Sequence, residues 1–103
     1  MNLFNLPVPR KDEELFETLL SKDNVTIERI VSTGQSTPDG EWYDQDWDEW
    51  VVVIQGRAGL LIEGQEEVIL ESGDHLFLPA NEKHRVEWTD QTQETIWLAI
   101  HIR

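Results

Sequence analysis

The chain has 103 residues, 21 acidic against 8 basic ones, and a formal net charge of −13. This length predicts one domain, residues 1–103, with a single modest core. The acidic balance argues against nucleic-acid binding, which needs a basic surface, and no apolar run is long enough to span a membrane. Cysteine is absent, which excludes disulfides, thiolate metal sites and cysteine nucleophiles. With no secretory signal in the sequence, we expect an acidic cytoplasmic protein.

The first 23 residues predict an extended arm followed by one short helix. Pro7 and Pro9 favour an extended chain over residues 1–10, where alternation is compatible with an added edge strand. Residues 11–22 predict a helix that Asp12 can cap, because four apolar side chains fall on one helical face. Those side chains are Leu15, Phe16, Leu19 and Leu20. Such a short helix depends on docking against the rest of the domain.

Residues 24–103 predict a β-barrel built from short strands. The predicted strands are 24–32, 48–55, 60–62, 67–70, 75–78, 84–89 and 95–102. Each combines β-branched or alternating apolar residues with a glycine, proline or polar turn at its end. Many short strands with almost no helix predict an all-β antiparallel barrel or sandwich.

One carboxylate, Glu49, lies where an acidic, tryptophan-rich loop meets the strand 48–55. Strand side chains alternate, so Glu49 is expected on the same face as Val51 and Val53. A carboxylate that shares a core face with two valines needs a partner, a metal or a proton. The strand therefore predicts a polar pocket inside the barrel.

Two residue spacings in the chain resemble the sequence motifs of a known family. Glu49 is followed by six residues and Gly56, as in the motif G(X)5HXH(X)3-4E(X)6G of the cupin superfamily. Gly73 is followed by five residues and Pro79, as in the second cupin motif, G(X)5PXG(X)2H(X)3N. The resemblance implies a cupin jelly roll, also called a double-stranded β-helix, with the short N-terminal helix added.

The second motif continues beyond the proline. Asn81 stands at the second glycine position and precedes His84 at the motif's spacing, while Trp88 occupies the position of the asparagine. Asparagine is a reasonable substitute for glycine where a left-handed backbone is needed. The resemblance covers residues 24–102, but cupins host many activities, so it does not identify one.

In metal-binding cupins a divalent metal is held by three histidines and a glutamate. The resemblance implies Glu49 and His84 as ligands in this chain, holding iron, manganese, nickel or zinc. The alternative is a metal-free pocket in which Glu49 bonds His84 or a tyrosine inside the barrel. Both interpretations stay open, because the other two positions of the metal motif do not contain histidine.

Those two positions contain Tyr43 and Gln45 in one register of the motif, or Trp42 and Asp44 in the other. Gln45 is therefore a further candidate ligand of weaker chemistry. His75 is another, provided that it points into the barrel; a solvent-exposed histidine at the start of a strand is the alternative.

The predicted ligand pocket contains Tyr43, Gln45, Glu49, His84 and Trp88. Trp88 is included because alternation places it on the same face as His84, where aromatic rings beside polar groups suit a sugar or another ring. His101, near the C-terminus, is expected to face outward or towards a subunit interface.

These features leave three hypotheses about function. The first is a binding or sensing cupin that takes a small molecule, with or without a divalent metal. The second is a metal-dependent enzyme, dioxygenase- or isomerase-like, that uses Glu49 and His84. The third is a structural or partner-binding jelly roll with a vestigial pocket. We expect a homodimer, to which the arm 2–8 can contribute.

Overall fold

The computed structural model describes residues 1–7 and 13–103, which form two antiparallel sheets. The strands are β1 (Leu15–Lys22), β2 (Val25–Ser32), β3 (Asp48–Gln55), β4 (Arg57–Ile62), β5 (Val68–Glu71), β6 (His75–Leu78), β7 (His84–Thr89) and β8 (Thr95–Ile102). The five-stranded sheet has the order β1-β2-β8-β3-β6, and the three-stranded sheet has the order β5-β4-β7. The predicted all-β class is confirmed.

The predicted N-terminal helix is wrong, because the described part of that segment forms β1. This strand pairs antiparallel with β2, from Leu15 opposite Val31 to Lys22 opposite Val25. An isolated helix of this length is marginal in water, whereas β2 gains a full row of backbone hydrogen bonds from β1. The proposed cap, Asp12, lies outside the described residues.

The start of the chain packs against β2 without adding a strand. Residues 1–7 contain a turn at positions 3 and 4, so the edge strand expected there is not formed within them. Arg29 Nη1 instead donates to the carbonyl oxygens of Asn2, Leu3 and Asn5 at 3.3, 3.0 and 3.2 Å. The rest of the predicted arm, residues 8–10, lies outside the described part.

The hydrophobic core lies between the two sheets. Val51 and Val53 of β3 enter it beside Trp97 and Ala99 of β8, and Leu60 of β4 meets them from the opposite sheet. Strand alternation explains the pattern, because every second residue points inward. The described residues contain no helix long and apolar enough to cross a membrane.

Two motif positions adopt positive backbone φ angles. Gly56 joins β3 to β4 at φ 91°, and a Cβ atom there would lie 2.7 Å from the Cα of Thr95. Asn81 has φ 67°, which confirms that asparagine replaces glycine at a left-handed position. Gly56 precedes β4 and Asn81 precedes β7, so both turns direct the chain into strands that line the site.

Candidate functional site

A cavity of about 100 Å³ lies between the sheets, at the end of the core nearest residues 43–49. Its apolar wall includes Val51, Leu60, Val86 and Trp97. Its polar lining consists of Glu14, Glu28, Tyr43, Gln45, Glu49, His84 and His101. Apolar walls with a few convergent polar groups are typical of small-molecule sites.

Glu49 is the buried carboxylate of this cavity. It is only 8% exposed and follows the predicted alternation with the buried Val51. Its Oε1 accepts a hydrogen bond from Gln45 Nε2 at 2.8 Å. The same oxygen lies 4.0 Å from His84 Nε2 and 3.9 Å from His101 Nδ1. These two distances exceed hydrogen-bond length, so Glu49 faces both imidazoles without bonding either one.

His84 begins β7 and is 4% exposed. Its Nδ1–H donates to the carbonyl oxygen of Glu82 at 3.1 Å. Because a carbonyl oxygen can only accept, the neutral ring has its lone pair on Nε2, which faces Glu49 across the cavity. The Tyr43 ring stacks on the imidazole at 5.5 Å, and the two residues exchange backbone hydrogen bonds of 2.8 and 3.1 Å.

His101 lines the cavity, so the expectation that it faces outward or towards an interface is wrong. Its Nδ1 accepts a hydrogen bond from Trp47 Nε1 at 2.9 Å, and its Nε2 lies 3.3 Å from Glu28 Oε1. In the neutral ring Nε2–H is therefore the donor to Glu28. In β8 His101 is the direct cross-strand partner of Glu49.

The sequence contains an ambiguous indication that His101 faces into the barrel. Alternation places His101 with Trp97 and Ala99, which are both buried. The opposite face of β8 also consists of apolar residues, so alternation alone did not identify the inner face. Only the packing of the second sheet against Trp97 makes that choice.

The pKa of the Tyr43 phenol depends on burial and on the carboxylates around the cavity. Partial burial raises the pKa of its phenol above 10.0, and the carboxylates of Glu14, Glu49 and Glu28 raise the pKa further. Negative charge disfavours the phenolate, so the hydroxyl stays protonated at neutral pH. The raised pKa is consistent with a net negative potential around the cavity.

The structure places Trp88 on the opposite side of β7 from the cavity. Gly59 is paired with Trp88 and Leu60 with Val86, so β7 contains one extra residue, a bulge. Leu60 and Val86 point inward, and the bulge turns Trp88 outward. There its Nε1 donates to Glu67 Oε1 at 3.1 Å.

His75 is also remote from the other predicted site residues. It is exposed, and its ring lies 5.5 Å from the ring of Trp50 on the outer side of the five-stranded sheet. The structure thus brings together Tyr43, Gln45, Glu49 and His84 of the predicted set. It adds Glu14, Glu28 and His101 and leaves out Trp88 and His75.

The residues present supply two of the four ligands of the metal centre that the cupin motif implies, Glu49 and His84. Among the residues that the structure describes, no group of three or more His, Cys, Asp or Glu side chains is placed to hold a metal ion. Glu49 Oε1 and His101 Nδ1 already accept N–H groups from Gln45 and Trp47. Of the two imidazoles that face Glu49, only His84 keeps a ring-nitrogen lone pair, on Nε2, for another partner.

Two antiparallel sheets packed face to face around one core define a small jelly-roll domain. The family model described as "Cupin domain" matches residues 29–101. The chain therefore belongs to the cupin family, and the fold predicted from the two motifs is confirmed.

Solved structures give the same fold. A putative mannose-6-phosphate isomerase from Ralstonia eutropha JMP134 is 45% identical with a TM-score of 0.94, and the match covers 99% of this chain and 95% of that one. The TT1209 protein from Thermus thermophilus is 16% identical with a TM-score of 0.80, over 99% and 94% of the two chains. A cupin superfamily protein from Desulfitobacterium hafniense DCB-2 is 21% identical with a TM-score of 0.76, over 91% and 81%. No curated protein matches the chain.

Proposed function

We propose that this chain binds a small polar molecule in the cavity between its sheets, through His84 and Glu49. The observation that carries the proposal is the state of His84. The ring is buried and its Nδ1–H is fixed by the carbonyl of Glu82, yet Nε2 has no partner within hydrogen-bond distance. His84 lines the cavity, so this ring nitrogen is available to accept a hydrogen bond from a group that arrives from outside.

The size and walls of the cavity support the same function. A volume of about 100 Å³ is several times the space that one buried water needs. Val86 and Leu78 belong to the apolar wall beside the polar end, and apolar surroundings strengthen a hydrogen bond made there. The cavity therefore suits a molecule of a few heavy atoms.

The name of the Ralstonia protein, mannose-6-phosphate isomerase, suggests a phosphorylated sugar as one ligand to test. The polar lining of this cavity disfavours it. The lining includes the carboxylates of Glu14, Glu28 and Glu49, and no Lys or Arg among the described residues lines it. A phosphate dianion would find repulsion where it needs a cationic partner.

The proposed function is tested with a chemically mixed panel of small metabolites, scored by thermal shift and confirmed by calorimetry. We expect a subset to stabilise the chain and to lose affinity in His84→Ala, because that substitution removes the unpaired nitrogen. His75→Ala is the matched control, since it removes an exposed histidine outside the cavity. Binding that is equal in both variants, or no binding at all, would contradict the proposal.

A second candidate is the metal-dependent cupin enzyme, with iron, manganese, nickel or zinc held by Glu49 and His84 and with Gln45 as a weaker ligand. One observation favours it: histidines that ligate metals commonly have their second ring N–H fixed by a carbonyl, as His84 has. Elemental analysis of protein purified without added metal tests this candidate. A stoichiometric metal that is lost in Glu49→Gln would support it, and a metal-free protein that binds ligand would reject it.

The homodimer and the cytoplasmic location stay predictions. Strand β1 is at the edge of its sheet and exposes Leu20, which is 52% accessible. Exposed edges and apolar side chains favour association between copies. Light scattering coupled to size-exclusion chromatography measures the oligomeric state directly.

A further inference from the structure

We propose that the ligand of this cavity is a small protonated primary amine. This inference rests on the proposed function, because it names the chemical class that the same site takes. A buried side chain with a free acceptor, His84, is what makes the cavity a site rather than an acidic cluster alone.

The hydrogen-bond donors that surround the cavity are already used by the protein. Gln45 Nε2 donates to Glu49 at 2.8 Å, and Trp47 Nε1 donates to His101 at 2.9 Å. Ser32 Oγ donates to Glu14 Oε2 at 2.7 Å. Each of these amide, indole and hydroxyl groups thus donates to an acceptor beside the cavity, and the Gln45 amide keeps a second N–H.

The acceptors of the cavity keep unused capacity. His84 Nε2 has a free lone pair, and each carboxylate of Glu49 and Glu28 can accept several more hydrogen bonds. Among the polar groups that line the cavity, the Tyr43 hydroxyl can act as donor or acceptor. An incoming molecule must therefore supply N–H or O–H donors to satisfy the site.

The charge of the cavity selects a cation among such donors. Three carboxylates line the cavity, and the neighbouring Arg29 points to the opposite face of β2. Arg103 lies in the groove outside the mouth, where its guanidinium sits 4.6 Å above the Trp47 ring. An ammonium group offers three donors and one positive charge, which match His84 Nε2 and the carboxylates together.

The experiment uses three probes of equal size: propylammonium, 1-propanol and propionate. Each is titrated into 15N-labelled protein to tens of millimolar, since so few atoms give weak affinity. The readout is the set of indole N–H signals of the five tryptophans. We expect propylammonium to shift the signals of Trp47 and Trp97 beside the cavity, and Trp88 on the outer face to stay unchanged.

Two variants of equal charge change make the test specific. Glu49→Gln should weaken propylammonium binding about tenfold or more, because a charge-assisted hydrogen bond is lost. Glu66→Gln, at an exposed position of the β4–β5 hairpin, should leave the affinity unchanged. If Glu49→Gln fails to fold, Glu28→Gln replaces it as the cavity variant. Glu28→Gln should also weaken propylammonium binding.

The outcomes separate this inference from the proposed function. If 1-propanol or propionate binds as well as propylammonium and binding requires His84, the amine class is overturned while the binding function stands. If propylammonium does not shift Trp47 or Trp97, the amine class is overturned, and the metabolite panel alone decides the binding function. Equal loss in Glu49→Gln and Glu66→Gln would also overturn it, because long-range charge would then explain the effect.

Discussion

Two buried charged groups lie on opposite faces of the five-stranded sheet, and they are paired very differently. Arg29 on the outer face of β2 has all three guanidinium nitrogens bonded: two to Glu17 at 2.8 and 2.6 Å, and one to three backbone carbonyls. Glu49 on the inner face accepts one amide N–H and lies 3.9–4.0 Å from two imidazoles. Both groups are more than nine-tenths buried.

Under the proposed function, the difference separates a charge that stabilises the fold from a charge that is available to a ligand. Arg29 is saturated with partners from its own chain, so it fixes β1 and the N-terminal segment to β2. The inner cluster keeps distances that an additional group can bridge. Binding sites commonly retain such incomplete pairing at a cost in stability, because groups that satisfied each other would not need a ligand.

The largest expected effect is a loss of stability on replacing Arg29, whose guanidinium nitrogens are all bonded. Arg29→Ala should lower the free energy of unfolding by about 3 kcal/mol, because it leaves Glu17 and three backbone carbonyls without their partner. Urea denaturation measures the change, and Arg29→Met controls for loss of the apolar stem. A loss below about 1 kcal/mol would show that water replaces these bonds easily.

A matched pair of carboxylate variants sharpens the comparison. Glu17→Gln should destabilise the chain by about 1–2 kcal/mol, since it removes a partly buried ion pair. Glu49→Gln should leave stability unchanged or raise it by up to about 1 kcal/mol, because it relieves repulsion among the cavity carboxylates. Equal destabilisation by both substitutions, measured in the same urea series, would remove the distinction between the two regions.

The phenol of Tyr43 reports the potential of the inner cluster. Its folded-state pKa is raised above 10.0, so its contribution to stability is present below pH 10 and is lost as pH rises through the folded pKa. Ultraviolet titration should show a lower pKa for Tyr43 in Glu49→Gln than in the parent chain. An unchanged titration would mean that burial and the other carboxylates, without Glu49, raise the phenol's pKa.

The smallest expected effect lies outside both regions, at Asp90. Hydrogen bonds from the backbone N–H and hydroxyl of Thr92 lower the pKa of Asp90 below 3.8. Its contribution is therefore present above that pH and is lost as pH falls through the folded pKa. In Asp90→Asn the free energy of unfolding should fall slightly less steeply as the pH is lowered into the acid range. Ligand binding should stay unchanged. A change in ligand affinity would link this exposed loop to the cavity.

The motif residues were the most predictable part of the molecule. Glu49, Gly56, Asn81 and His84 follow spacings that local backbone geometry enforces, and period-two alternation places Glu49 inward. The strand positions followed from the same alternation and from the turn residues between them. The fold, through the resemblance of these spacings to the cupin motifs, and two of the five Glu and His side chains that line the cavity could therefore be predicted from the sequence.

The remaining features depend on contacts between distant segments. The chain from 15 to 22 has a helical apolar pattern, but backbone pairing with β2 makes it a strand. One bulge in β7 reverses the side of Trp88. His101 is inward because Trp97 of the same strand packs against the second sheet, a choice that local alternation left open. Sequence alone thus determined the cupin barrel with Glu49 and His84 inside it, because spacing and period are local properties. Tertiary structure decided which acceptors remain unpaired, because that depends on partners supplied from far along the chain.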